Sequence, residues 1–328
     1  GWYDIEVFDN NTASWVIMPN AFEVTLLYIQ GCTDSTAINY YPNANIDDGS
    51  CTYQMTYVPD DNFEQALINL GYDNVLDDSV LTSNINTVTN LNVSSQNISD
   101  LTGIEDFIAL TDLNCSNNII TSLDVSQYTA LTVLSCNFNQ LTTLDVSNNT
   151  ALTQLNSGDN QLTIFDVSNN TALNVLACYN NQLTNLDVSN NTALTELWCP
   201  NNQLANLNVN NNTALIQLEC GNNLLTTFDV SNNLALTRFW CYGNQLTTLD
   251  VSNNSALTWF NSSGNQLTSL DVRNGNNVNM IGVNPWHLNF TNNPNLYCID
   301  VDDPVWSTSN WTVINGNIDP WTSFSINC

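Results

Sequence analysis

A phrase of 21 residues recurs along most of this chain, and nothing else in the sequence limits its fold so tightly. One copy reads LTTLDVSNNTALTQLNSGDNQ, from Leu141 to Gln161. Set in lines of 21, the leucines form a column: Leu110, Leu131, Leu152, Leu173, Leu194, Leu215, Leu236 and Leu257, followed by Val278. Three places on stand Leu113, Leu134, Leu155, Leu176, Leu197, Leu218, Phe239, Phe260 and Ile281. An asparagine column runs unbroken through Asn118, Asn139, Asn160, Asn181, Asn202, Asn223, Asn244 and Asn265. A fixed period of this kind marks a solenoid, in which each unit buries its apolar side only against its neighbours.

Each repeat holds two strand-like phrases. In Leu152-x-x-Leu155-x-Ser157, alternation points Leu155 and Ser157 inward. Asn160 turns the chain, and its amide can bond exposed backbone groups of the adjacent coil. Leu162-x-x-Phe165-Asp-Val167 makes a second inward triplet, and Ser168-Asn169-Asn170-Thr171 turns back. Thr, Val, Asn and Ser on the return side argue against helices there. The expected fold is an all-β-rich solenoid with parallel strands, about ten coils at ~4.8 Å each and so roughly 45 to 50 Å long.

The charge balance excludes some partners. There are 31 acids against Arg238, Arg273 and no lysine, a net charge of −29. Nucleic acid needs clustered Lys and Arg, so it is not expected as a partner, and anionic membrane surfaces are disfavoured likewise. No run approaches the ~18 apolar residues of a membrane span, so insertion is not expected either. The chain starts at Gly1 with no visible signal peptide, as a processed or truncated chain would.

Ten cysteines fall into two kinds. Cys32 with Cys51, and Cys298 with Cys328, lie outside the regular repeats and flank loop-rich segments; in an oxidising compartment they read as two staples. Cys115, Cys136, Cys178, Cys199, Cys220 and Cys241 share one repeat column, with Ser157 and Ser262 filling its gaps. Side chains on neighbouring strands run parallel at ~4.8 Å, whereas a disulfide needs Cβ atoms nearer ~3.8 Å. The column therefore reads as buried free thiols acting as apolar fillers, with pairing between adjacent coils as the alternative.

Five segments follow in order. Residues 1–30 suggest two strands and a turn, the β-rich tail of an upstream module. Residues 31–53 form a small cysteine-bounded module in which Asp34, Asn43, Asn45, Asp47 and Asp48 offer the hard oxygens calcium takes. An Asx-rich turn closed by a disulfide explains the same residues equally well. Residues 54–87 make an N-terminal cap with a short helix: Phe63, Leu67 and Leu70 share one face, Asp61 and Glu64 fit a capping box, and Gly71 suits the left-handed terminus. The solenoid occupies 88–290. Its register decays past Leu270, where Gly275, Gly282 and Pro285 intrude and Trp286 stands where the asparagine column would continue. Residues 291–328, with Trp306, Trp311 and Trp321, form a disulfide-closed C-terminal cap.

The phrase L-x-x-L-x-C-x-x-N-x-L, seen from Leu173 to Leu183, resembles the leucine-rich repeat consensus. The 21-residue length and the second L-x-x-L-D-V phrase resemble the short repeat class of secreted bacterial proteins, and the segment from Tyr57 to Ile85 resembles the cap that precedes such repeats in the Bacteroidetes. The resemblance implies a right-handed leucine-rich repeat coil, in a binding protein secreted or attached to the outer surface of a bacterium. It also implies O-glycans on Asp-Ser/Thr followed by a small or apolar residue. Asp34-Ser35-Thr36 and Asp78-Ser79-Val80 match, making Ser35 and Ser79 candidates.

In that family the strand face is concave and is the usual binding side. Outward positions there are the ones that vary. Trp198, Trp240, Trp259, Tyr179 and Tyr242 gather on coils four to eight, beside Glu196, Glu219 and Arg238, with Phe138 nearer the N-terminus. Flat rings among acids and amides suit a sugar or the anchor side chains of a protein partner. Cross-strand stabilisation by stacked aromatics is the competing explanation. A second column, Asp124, Asp145, Asp166, Asp187, Asn208, Asp229, Asp250 and Asp271, places like charges at strand spacing. Backbone donors in the following turns can offset their repulsion; bound calcium is the alternative. Calcium is thus a possible ligand and no cofactor is required.

Catalysis is not expected, since His287 is the lone histidine and offers neither a zinc site nor a triad. The expected function is recognition or adhesion at the cell surface, through the aromatic strand face, toward a glycan or protein. The alternative is a structural role in a self-assembling surface layer or filament.

Overall fold

Inward leucines at a fixed spacing can be buried only if successive coils stack in register, and the computed structural model shows that stacking. It describes residues 2–9, 12, 14–23, 27–280 and 287–328. Two compact units are present, residues 1–55 and 56–328.

In the first unit Trp2–Asp9 pairs antiparallel with Ser14–Glu23, and the pairing shifts between Tyr3 and Ile5. The following segment is closed by the Cys32–Cys51 disulfide, and Gln30–Gly31 pairs in parallel with Ile46–Asp47.

The second unit opens with helix α1, Asp61–Asn69. Its N-cap is Asp60, whose carboxylate accepts from Asn62 N–H and Phe63 N–H. The expected Asp61/Glu64 capping box does not form. Glu64 is instead buried and accepts from the backbone N–H groups of Asp77, Asp78 and Ser79, donors that an interior carboxylate requires. At the other end Gly71 sits at φ 82°, and Tyr72 N–H reaches Leu67 C=O while Gly71 N–H reaches Ile68 C=O. This is a Schellman ending. Phe63, Ala66 and Leu67 are buried against the first coils, whereas Leu70 turns out to be exposed.

Ten parallel strands form the main sheet, from Asn90–Asn92 through Glu196–Trp198 to Leu288–Asn289. Register is exact in the repeats, with Leu155, Leu176, Leu197, Leu218, Phe239 and Phe260 successively opposed. The second phrase buries Leu162, Phe165 and Val167 as the period-2 pattern requires. It becomes a regular strand only near the C-terminus, where Thr248–Asp250, Ser269–Asp271, Cys298–Asp300 and Ser323–Ser325 form a four-stranded sheet.

Asparagine side chains tie coil to coil. Asn160 Nδ2 donates to Cys136 C=O in the preceding coil and to Ser157 C=O in its own, while its Oδ1 accepts from Leu141 N–H. A second interior ladder, absent from the sequence reading, runs through Asn149, Asn170, Asn191, Asn212, Asn233 and Asn254. Asn170 Nδ2 in that ladder donates to Val146 C=O and Asn149 C=O. The six thiols of the cysteine column are free and wholly buried.

The decay of register past Leu270 is an insertion. Val278 is exposed and leaves the leucine column, and the next strand opposes Phe260 with Leu288. The asparagine column accordingly resumes at Asn293, whose Nδ2 donates to Ser262 C=O and Phe290 C=O. Ile281, Gly282, Pro285 and Trp286 lie outside the described residues. The chain ends in a cap closed by Cys298–Cys328, in which helix α2, Pro304–Asn310, precedes the buried Trp311; Trp321 is exposed.

Candidate functional site

The strand face is built by parallel register. Glu196 and Trp198 flank the inward Leu197, so both point outward, and each has its counterpart one coil on. One outward row reads Val175, Glu196, Gln217, Arg238, Trp259, and its parallel row reads Ala177, Trp198, Glu219, Trp240, Asn261. Glu196, Trp198, Glu219, Arg238, Trp240 and Trp259 therefore share one face over four consecutive strands.

Contacts along the first row are continuous. Gln217 Nε2 donates to Glu196 Oε1 at 3.2 Å, and Arg238 Nη1 donates to Gln217 Oε1 at 3.1 Å. The Arg238 guanidinium carbon lies 4.3 Å from the centroid of the Trp259 ring, a cation–π contact. Immediately before the next strand, Leu288–Asn289, His287 stacks on the same indole at 3.9 Å. Trp240 meets Trp259 edge-on at 5.9 Å. Gln217 thus links Glu196 to Arg238, and His287 extends the row past Trp259.

The tyrosines occupy room left by glycines. A Cβ on Gly158 would lie 2.4 Å from the Tyr179 ring, and one on Gly221 would lie 2.6 Å from the Tyr242 ring. Each ring is therefore laid over the preceding coil, which makes it partly structural. Tyr242 also donates its hydroxyl to Glu219 Oε1 at 3.0 Å. Burial lifts the Glu219 carboxyl above its usual range, and the tyrosine bond draws it partly back. Burial and the neighbouring Glu219 charge raise the Tyr242 phenol in turn. Trp198 is the most open ring of the group, 36% exposed.

Elsewhere the candidate residues are engaged locally. Asp34 accepts from Thr36 and from the Tyr53 hydroxyl, Asp47 accepts from Gly49 N–H, and Asp48 accepts from Ser50 N–H. Asn45 bridges Leu27 and Ile29, and Asn43 is exposed. Among the described residues no group of three or more His, Cys, Asp or Glu side chains is arranged to hold a metal ion. Ser35 is exposed, while Ser79 is half-buried and donates to Asp77.

The aspartate column ends in Asx turns: Asp145, Asp166 and Asp187 each accept from the backbone N–H two residues on. Bonds to Ser168 and Ser189 hold the Asp166 and Asp187 carboxyls below the usual carboxylate range. Their contribution to stability is full above the unfolded pKa of about 4 and fades as pH falls through the lower folded values. Urea midpoints measured from pH 6 downward should accordingly decline below about pH 4.

Comparison with known proteins agrees with this geometry. The functional domain of InlJ from Listeria monocytogenes, described as including a cysteine ladder, is 38% identical over 76% of this chain and 52% of that one, with a TM-score of 0.64. A leucine-rich repeat protein of Leptospira interrogans is 26% identical over 56% of this chain and 51% of that one, with a TM-score of 0.53. The fold is a leucine-rich-repeat-like solenoid. The chain spans about half the length of each of these two relatives. An internalin C2 of Listeria monocytogenes shares the fold at 19% identity and a TM-score of 0.53, over 75% of this chain and 94% of that one. A model of the LVIVD repeat matches residues 156–181 and 241–280. No curated protein matches.

Proposed function

We propose that this chain is an extracellular or cell-surface recognition module, non-catalytic, that holds a protein partner on its strand face around Trp198 and Trp240. The carrying observation is the convergence of Trp198, Glu219, Trp240 and Trp259 on adjacent strands of one outward face. Aromatic side chains on a rigid scaffold bury much area at small entropic cost, which is why they dominate binding hot spots. A protein is favoured over a sugar because Trp259 is contacted by Arg238 from one coil and His287 from the next, leaving no free ring face for stacking. Two disulfides support an oxidising, extracytoplasmic location.

The test is a screen of the purified chain against arrayed surface proteins and glycans, repeated with the Trp198→Ala/Trp240→Ala variant. Ligands should lose at least about 2 kcal/mol of affinity, near thirtyfold, while the urea midpoint stays close to wild type. A ligand held equally by the double variant would refute the reading.

A further inference from the structure

Phe138 sits where the fold disfavours a phenylalanine. Its φ is 55°, in the left-handed region, and it shares a repeat column with Asp159, Asn180, Asn201, Asn222 and Gly243, all at positive φ. Asn, Asp and Gly tolerate that conformation, whereas a bulky aromatic there is an outlier. The polar members also link side chains along the solenoid: Asn180 donates to Asp159 Oδ1 at 2.7 Å, Asn201 to Asn180 Oδ1 at 2.6 Å, and Asn222 to Asn201 Oδ1 at 2.7 Å. A phenyl ring cannot join that chain. Nor is it compensated by burial, because Phe138 is 50% exposed. Backbone strain, a missing side-chain link and apolar area left in water coincide at one residue, and strain of this kind persists where function requires it.

We infer that Phe138 is the far anchor of the strand-face site, and that the occupant is an extended basic polypeptide lying across the strands from Phe138 to Trp240. This rests on the reading of that face as a binding surface. Five strand spacings separate the coils of the two anchors, about 24 Å at ~4.8 Å each, which roughly seven residues of extended chain would cover. Between them stand the partly exposed carboxylates of Asp159, Glu196 and Glu219. Arg238, bonded to the neutral Gln217 amide and lying over Trp259, offsets one of these three charges and leaves the path net negative. With a net charge of −29 on the chain, the path complements lysine and arginine.

Phage-displayed random dodecapeptides panned on the intact chain provide the probe. Selected peptides should be rich in Lys and Arg, bind more weakly as salt rises, and lose about tenfold or more in affinity on Phe138→Asn. That variant should also unfold at higher urea than wild type, since asparagine suits the backbone. Peptides that bind Phe138→Asn as well as wild type, yet fail on Trp198→Ala/Trp240→Ala, overturn this inference and leave the strand-face reading standing. Peptides indifferent to all three substitutions overturn both. Selection of neutral or acidic peptides, a glycan-array ligand that needs Phe138, or a lower urea midpoint for Phe138→Asn each overturns the inference.

Discussion

Raising the pH from 8 to 10 is expected to unfold the solenoid and release six thiols together. All six column cysteines are fully buried and free, and burial pushes Cys115 and Cys178 up to about 12 and the others in the same direction. An unfolded thiol ionises near pH 8.5. Below that value both states hold the proton and the thiols make no pH-dependent contribution. Above it the unfolded state sheds protons that the folded state retains, so stability falls by about 1.4 kcal/mol per pH unit for each thiol. At pH 10 this amounts to about 2 kcal/mol per thiol and about 12 kcal/mol for six, comparable to the ~5–15 kcal/mol total of an ordinary domain. Urea midpoints followed by circular dichroism across that range should fall steeply. Ellman's reagent should find no reactive thiol at pH 8 and six once the fold opens. A midpoint that stays flat to pH 10 would exclude the column as the source of alkaline instability.

Asn202→Ala should weaken one junction in the middle of the solenoid. Asn202 Oδ1 accepts from Leu183 N–H at 3.0 Å, and Nδ2 donates to the carbonyls of Cys178 at 3.0 Å and Cys199 at 3.2 Å. Removing the amide leaves the buried Leu183 N–H without a partner, while Cys178 C=O and Cys199 C=O each lose one of two donors and keep Asn181 and Asn223, so the site should lose about 1–3 kcal/mol. Coils touch only their neighbours, so the damage should stay at one junction. Hydrogen exchange should therefore show lost protection near Leu183 and Cys199 while the terminal coils keep theirs, and the urea transition should broaden. Uniform loss of protection along the whole solenoid would contradict this picture.

Much of the fold was legible because a repeat states its own register. Once Leu155 and Leu176 are known to be equivalent, their pairing across strands follows, and the first asparagine column follows with it. The interior Asn149 ladder was harder to see, since asparagine in a Ser-Asn-Asn turn reads equally as solvent-facing; only the packed structure shows it bonding inward. Legibility failed where the period breaks. Counting 21 residues past Asn265 lands on Trp286, whereas an insertion carries the ladder on to Asn293. At the N-terminal cap, local spacing pointed to Glu64 as a helix cap, but a distant loop claims that carboxylate.

The strand face shows the same division. Its members could be read from columns, but the Glu196–Gln217–Arg238 chain and the His287 stack depend on distances between coils that no column reports. One signal was present and passed over: Gly158 precedes Tyr179 by one period, and Gly221 precedes Tyr242 by the same interval. The glycines make room for the rings, so each pair is a single two-coil feature.

The asparagine ladders have a genetic consequence. Every bond in them stays within one coil or joins it to an adjacent one, so the joint between two coils does not depend on how many coils there are. Near-identical copies of one coding unit are natural substrates for unequal crossing-over, and gain or loss of a whole unit leaves each ladder intact. An indel of any other length puts buried amides and leucines out of phase. The length of this array can therefore drift under recombination while its cross-section is held fixed, and an exchange between coils two and seven would alter the distance between Phe138 and Trp240 in single-coil steps.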